Sequence, residues 1–244
     1  MVNALSRVLK LPISEVEKIL QNYGRTRAKK IVSTPKISIS PFKFPKPYGK
    51  LNEQGKAYLT KRKFDPEYLE REWGIRQTGP VSLLDGISYG NRILIPIRWN
   101  RKTVSFQTRD ITSKSDRKYL ACPMRREVMH HKNIVYGKQA GWLEEPLIVV
   151  EGVTDVWRLG KHAVATFGTS FKMEQVLLLS KIAEKFVILF DGEPHAQEQA
   201  KKLAIKLKVL GKKVVVETVE GDPGDMEQKD ADYLVKQFRK GYGK

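Results

Sequence analysis

Residues 187–190, VILF, run straight into Asp191, Gly192 and Glu193. A strand with one wet face alternates apolar and polar side chains, so consecutive apolar residues predict a strand buried on both faces. Its carboxylates then stand at the carboxyl end, the edge of an open α/β sheet where ligands bind. Gly192 lets the backbone turn sharply there, and both acids point into one crevice. Two carboxylates this close repel unless something positive lies between them, and a hard divalent cation suits the role. Taken alone, the stretch reads equally well as a strand-ending turn whose acids face water.

The rest of the second half repeats the pattern. After EEP at 144–146 come LIVVEG, a helix over TDVWRLG, AVATFG, a helix from about Met173 to Glu184, KFVILFDGE, a helix from about Ala196 to Leu210, KKVVVETV and a last helix over DADYLVKQFRK. Strands alternating with helices at this spacing predict a parallel, doubly wound sheet. LIVV leads into Glu151 and Gly152 with Asp155 one helical turn on, VILF into Asp191 and Glu193, and VVVETV into GDPGD with Asp222 and Asp225. A lone strand-end acid is usually a turn or cap. Three clusters converging on one crevice, with no basic residue set among them, are costly unless metal ions neutralise them. Mg2+ or Mn2+ is the expected cofactor.

Charge divides the chain in two. Residues 1–140 hold 29 Lys and Arg against 11 Asp and Glu, while residues 141–244 hold 16 of each. A segregated excess of this size attracts a polyanion, and nucleic acid is the common one; a solubilising excess explains part of it. The single cysteine, Cys122, allows neither an internal disulfide nor a cysteine-based zinc site, and the four histidines are too scattered to suggest a metal site of their own, so no zinc is expected. No apolar run approaches the roughly 20 residues of a membrane span, and the charged start does not read as a signal peptide. These features predict a soluble, cytoplasmic protein with no membrane partner.

Three segments are expected. Residues 1–50 form a basic appendage: an amphipathic helix to about residue 22, broken near Pro12, then RTRAKK and the proline-rich strap STPKISISPFKFPKPYGK. Residues 51–141 form a basic α+β domain with helix caps at Asn52 and Asp65 and a hairpin of RILIPIRW and KTVSFQTRDI. Residues 142–244 form the doubly wound domain.

EGVTDVWRL, AVATFGTS, FDGE before a helix, and GDPGDM together resemble the TOPRIM domain shared by bacterial-type primases, topoisomerases and some nucleases. Glu151 matches the family's strand-end glutamate, Asp191 and Glu193 its paired aspartates, and Asp222 the acid of its last cluster, although Glu193 departs from the usual aspartate. The basic half is similar to the catalytic core of bacterial and phage primases: YLTKRKFDPEYLEREWGI to its helical entry, the hairpin to its central hairpin, and RKYLACP with HHKNIVYG to its KYLNSP and HKGxxLYG stretches. The resemblance spans about residues 52–240.

The likeness implies a TOPRIM-type fold behind a basic α+β domain, with a metal site on Glu151, Asp155, Asp191, Glu193, Asp222 and Asp225. It implies triphosphate contacts at Lys118 and Lys132, and single-stranded template along Arg92, Arg98 and Arg109, although for Arg98 an exposed surface charge is the blander reading. The implied activity is primer synthesis from nucleoside triphosphates on single-stranded DNA, by a phage- or plasmid-type core without the zinc module and helicase-binding region of full primases. A replicative helicase or a separate template-recognition protein would be its partner. A topoisomerase would need a tyrosine on a gate for which the chain has no room. A TOPRIM nuclease would use the same metals to activate water, and a non-catalytic nucleic-acid clamp would not need the full acidic set.

Overall fold

The computed structural model describes Ser6 and residues 11–24, 41–139, 146–219 and 221–242. It forms two compact units, Met1–Ser38 and Ile39–Lys244. In the first, helix α1 (Ile13–Gly24) starts immediately after Pro12, the residue expected to break it. RTRAKK and the beginning of the strap lie outside the described residues.

The second unit begins within the strap. Strand β1 (Lys46–Gly49) pairs antiparallel with β2 (Arg76–Leu84). Phe42 and Phe44 stand against Phe106 with ring centroids 6.4 and 5.8 Å away. The boundary expected at residue 50 therefore falls earlier, and residues 41–50 are part of the fold. The prolines exclude a helix and a central strand but tolerate a sheet edge, which is where β1 lies.

Helices α2 (Glu53–Lys61) and α3 (Pro66–Glu72) follow. Asn52 caps the first by accepting from Gly55 N at 3.0 Å, and Asp65 caps the second by accepting from Glu67 N and Tyr68 N at 2.9 and 3.0 Å. Strands β3 (Ile87–Ser88), β4 (Arg92–Trp99), β5 (Lys102–Asp110) and β6 (Tyr119–Ala121) complete an antiparallel sheet ordered β1-β2-β4-β5-β6, with β3 beside β2. Asn100 and Arg101, at φ 47° and 64°, turn β4 into β5 through a two-residue hairpin of the left-handed kind that suits strand twist.

From Leu147 the chain alternates as expected: β7 (Leu147–Val150), α4 (Val153–Leu159), β8 (Ala163–Ala165), α5 (Met173–Ile182), β9 (Lys185–Leu189), α6 (Pro194–Val209), β10 (Lys213–Glu217) and α7 (Gln228–Tyr242). The strands are parallel in the order β10-β9-β7-β8. Residues such as Val149, Phe186 and Ile188 pack with α5 and α6. Their neighbours Ile148, Val150 and Leu189 pack on the opposite face with α4 and α7. All four side chains of β7 are 0% exposed, each contributing about 1.5–3 kcal/mol by burial.

The same core that holds α4 and α7 also holds Leu59, Leu69, Trp73, Ile93 and Ile95 from the basic half. The expected boundary near residue 141 thus separates two sheets but not two bodies. Arg158, 1% exposed on α4, strengthens the join. Its guanidinium lies 4.1 Å from the Phe64 ring and donates to the carbonyls of Arg62 and Lys63, both at 3.0 Å, and of Gly224 at 3.4 Å. Among the described residues no helix is long and apolar enough to cross a membrane.

A chain starting at Ile39 should keep the cooperative unfolding of the second unit, whereas one starting at Leu51, lacking β1 and two packed phenylalanines, should lose about 3 kcal/mol or more in urea unfolding. Equal stability of the two truncations would return residues 41–50 to the role of a loose strap.

Candidate active site

The expected acids meet at the carboxyl edge of the parallel sheet. Glu151 follows β7, Asp191 follows β9, and Asp222 opens the single turn Pro223–Asp225 beyond β10. Glu151, Asp155, Asp191 and Asp222 line one cleft of about 270 Å3, shared with Gln107, Arg109 and Tyr119 from the antiparallel sheet and Lys118 from the loop before β6. Acidic and basic halves therefore face the same space.

Backbone geometry holds the acids in place. Asp191 N donates to Glu151 Oε1 at 3.0 Å, tying adjacent strand ends together. Asp155, 4% exposed, accepts from Gly152 N at 2.8 Å and so caps α4 while fixing the residue next to Glu151. Asp222 accepts from Gly224 N at 2.7 Å. A Cβ on Gly224 would come within 2.8 Å of Asp155 Oδ1 and 3.0 Å of Asp222 Oδ1, so only glycine lets the last turn close on the cluster.

The electrostatics follow from burial and crowding. Burial raises Glu151 to about 7, aided by the charges of Asp191, Glu193 and Asp222 and opposed by the Asp191 amide. Burial, with Asp222 beside it, pushes Asp155 well above the ordinary carboxylate range. Asp191 is also raised, by burial and then by Asp222 and Glu193, while Lys118 pulls it down. Glu193 is exposed and precedes α6 as its cap residue, so it acts on the cleft through its charge.

Counter-charge comes from a residue that the sequence did not point to. Arg62, at the end of α2, pairs with Asp225 through Nε at 3.2 Å and through Nη2, and lies 4.0 Å from Asp222 Oδ2. The acidic clusters are therefore not without a base, and Asp225 is held by an ion pair outside the cleft lining. Among the described residues, no three of these carboxylates bring ligand atoms within 4.8 Å of one another. Carboxylate oxygens around one cleft are the hard ligands that a divalent cation takes. Glu151, Asp191 and Asp222 fit a divalent cation in that sense.

The basic residues divide. Lys118 is exposed at the cleft. Arg109, 6% exposed, lines it while its Nε donates to Tyr58 Oη at 2.5 Å and its Nη1 to Tyr119 Oη. Arg92, 3% exposed, does not face a groove: it donates to Ser115 Oγ at 2.7 Å and to the carbonyls of Arg117 and Lys118 at 2.9 and 3.4 Å, bracing the loop that carries Lys118. Arg98 is exposed but pairs with Thr103 at the far end of the hairpin, six residues or about 20 Å along β4 from Arg92.

Lys132 also departs from expectation. Its ammonium donates to the carbonyls of Thr166, Phe167 and Ser170 at 3.2, 2.8 and 2.9 Å. Burial and then Lys172 push it down to about 8, while the three acceptors favour its charged form. Its donors are committed to the loop that carries Phe167 and Gly168, part of the cleft wall. His130 and His131 are not scattered either, since both meet Glu127.

Residues 148–234 match the Toprim-like protein family. The chain is 30% identical to the DNA primase of Haemophilus influenzae over 187 residues, 62% of this chain and 31% of that one. It is also 30% identical to the DNA primase of Halalkalibacterium halodurans, over 78% of this chain and 38% of that one. It thus spans about a third of the length of these curated relatives. In three dimensions it is similar to the DnaG catalytic core, with a TM-score of 0.64 and 22% identity over 78% of this chain and 73% of that one. Residues 148–234 thus match a Toprim-like model, and the chain shares its fold with the DnaG catalytic core.

Proposed function

We propose that this chain is a DNA primase core that synthesises short RNA primers on single-stranded DNA by metal-dependent nucleotidyl transfer. The observation that carries the reading is the shared cleft, in which Glu151, Asp191 and Asp222 face Arg109 and Lys118. A nuclease of the same domain would need the acids but would leave the basic wall without a task.

In this reading Glu151, Asp191 and Asp222 hold one or two Mg2+ or Mn2+ ions, with Asp155 and Glu193 setting the field around them. A cation held by these carboxylates would supply a lowered pKa at the attacking 3′ hydroxyl and neutralisation of phosphate charge. Lys118, exposed and flexible, meets the triphosphate as a point charge. Arg109, held rigid by two tyrosines, orients phosphate in the cleft. Lys132 positions the cleft wall and does not hold nucleotide. Template binds through its backbone to the basic surface, delivered by a replicative helicase or a separate template-recognition protein.

Incubation with single-stranded DNA, Mg2+ and labelled nucleoside triphosphates should yield short RNA products. Asp191→Asn should lower synthesis by about a hundredfold or more while DNA binding survives, and Lys118→Ala should raise the nucleotide KM with the salt slope of DNA binding unchanged. Cleavage of the DNA without incorporation would favour the nuclease instead.

The raised carboxylates also set a pH dependence. A carboxylate with a folded pKa near 7 keeps a proton that the unfolded chain has released, so its contribution to stability falls as pH rises from the ordinary carboxylate range to about 7. In chelator, Glu151→Gln should therefore gain on wild type as pH rises through that window, reaching a melting temperature about 3 °C higher at the alkaline end. Parallel melting curves across the window would show that Glu151 is not raised.

A further inference from the structure

We propose that Glu127, His130 and His131 form a second cation site, selective for a zinc-class ion such as Zn2+ or Co2+ and separate from the acidic cleft. The stretch EVMHHK follows a single turn at Met124–Arg126, and Val128 N donates to Val104 O at 2.8 Å, fixing the segment against β5. This places the Glu127 carboxylate inward, with its side chain 2% exposed. Each of its oxygens then meets a different imidazole: Oε2 is 2.7 Å from His130 Nδ1 and Oε1 is 2.6 Å from His131 Nδ1. Ser105 Oγ donates to Oε1 at 2.6 Å, and His131 N does so at 3.2 Å.

Among the described residues this is the one group of three metal-ligating side chains whose donor atoms all lie within 4.8 Å of one another. Tetrahedral zinc, with bonds of about 2.0–2.1 Å, separates neighbouring ligand atoms by about 3.3 Å, so the contact between an imidazole and the ligating carboxylate oxygen needs to open by less than about 1 Å. The side chains of His130 and His131 are 24% and 13% exposed, which leaves an entry path and room for water as a fourth ligand. Two imidazole nitrogens and one carboxylate oxygen suit zinc-class ions, whereas Mg2+ prefers oxygen alone. The two sites would therefore sort cations by chemistry.

The proton balance is simple. Without an ion each neutral imidazole donates Nδ1–H to the carboxylate. To ligate through Nδ1, each moves that proton to its Nε2, with no net release. Ser105 and the His131 amide keep orienting the carboxylate, the kind of outer contact that metal sites use. The ion-free network satisfies itself, so the fold does not wait for metal. Bound metal would stiffen a segment whose next residue, Lys132, ties down the cleft wall, and the His131 ring already stands edge-on to Phe167 at 5.4 Å.

The test uses the full, untagged chain in excess Mg2+. Co2+ should bind at one equivalent with the visible absorption of a tetrahedral ion, and Zn2+ should compete with it and raise the melting temperature. His130→Ala and His131→Ala should each weaken Co2+ by about tenfold or more, and Asp191→Asn should leave it unchanged. Glu127 is buried and its replacement risks the fold, so the partly exposed histidines carry the test. Absence of saturable Co2+ binding, or binding that ignores the histidine substitutions, or binding lost in Asp191→Asn, would overturn the proposal.

Discussion

Mutual repulsion of carboxylates at the ends of parallel strands is the constraint on which the rest of this structure turns. Glu151, Asp155, Asp191 and Asp222 stand around one cleft, and burial raises the first three toward protonation. Such a cluster forms only where other parts of the fold hold it together. The Asp191 amide on Glu151, the Gly152 amide on Asp155 and the Gly224 amide on Asp222 hold the acids with backbone dipoles. Arg62 and Lys118 bring cationic charge from the other half of the chain.

That need for outside charge explains why the two sheets are one body. Arg62 reaches the third acidic cluster from the end of α2, and Arg158 binds the carbonyls of Arg62, Lys63 and Gly224 from the helix behind Glu151. A guanidinium buried over Phe64 is stable only while those acceptors stay in place. The basic half thus acts on the cleft twice, through residues that line it and through residues that fix its floor.

Much of this was legible from sequence wherever the signal was local. Apolar runs gave the parallel strands, Asn52 and Asp65 marked helix starts, and the acids after β7, β9 and β10 fell on one edge because strand direction dictates it. Signals that depend on distant partners were not legible. Arg92, Arg98 and Arg109 look alike in sequence, yet one braces a loop, one lies at the far end of the hairpin and one lines the cleft. Lys132 falls in a matching motif, but its direction is set by a loop some 35 residues later. Arg62 meets Asp225 across 163 residues, a pairing no local pattern announces. The proline-rich strap hid β1 because prolines exclude a helix without excluding a sheet edge.

The central claim is that acids at the strand ends form one divalent-cation site, with Asp225 drawn away by Arg62. Mn2+ binding measured by electron paramagnetic resonance tests it most directly. Glu151→Gln and Asp191→Asn should each weaken Mn2+ by about tenfold or more, while Asp225→Asn should leave it within about twofold. Unchanged affinity in the first two variants, or an equal loss in the third, would contradict the account.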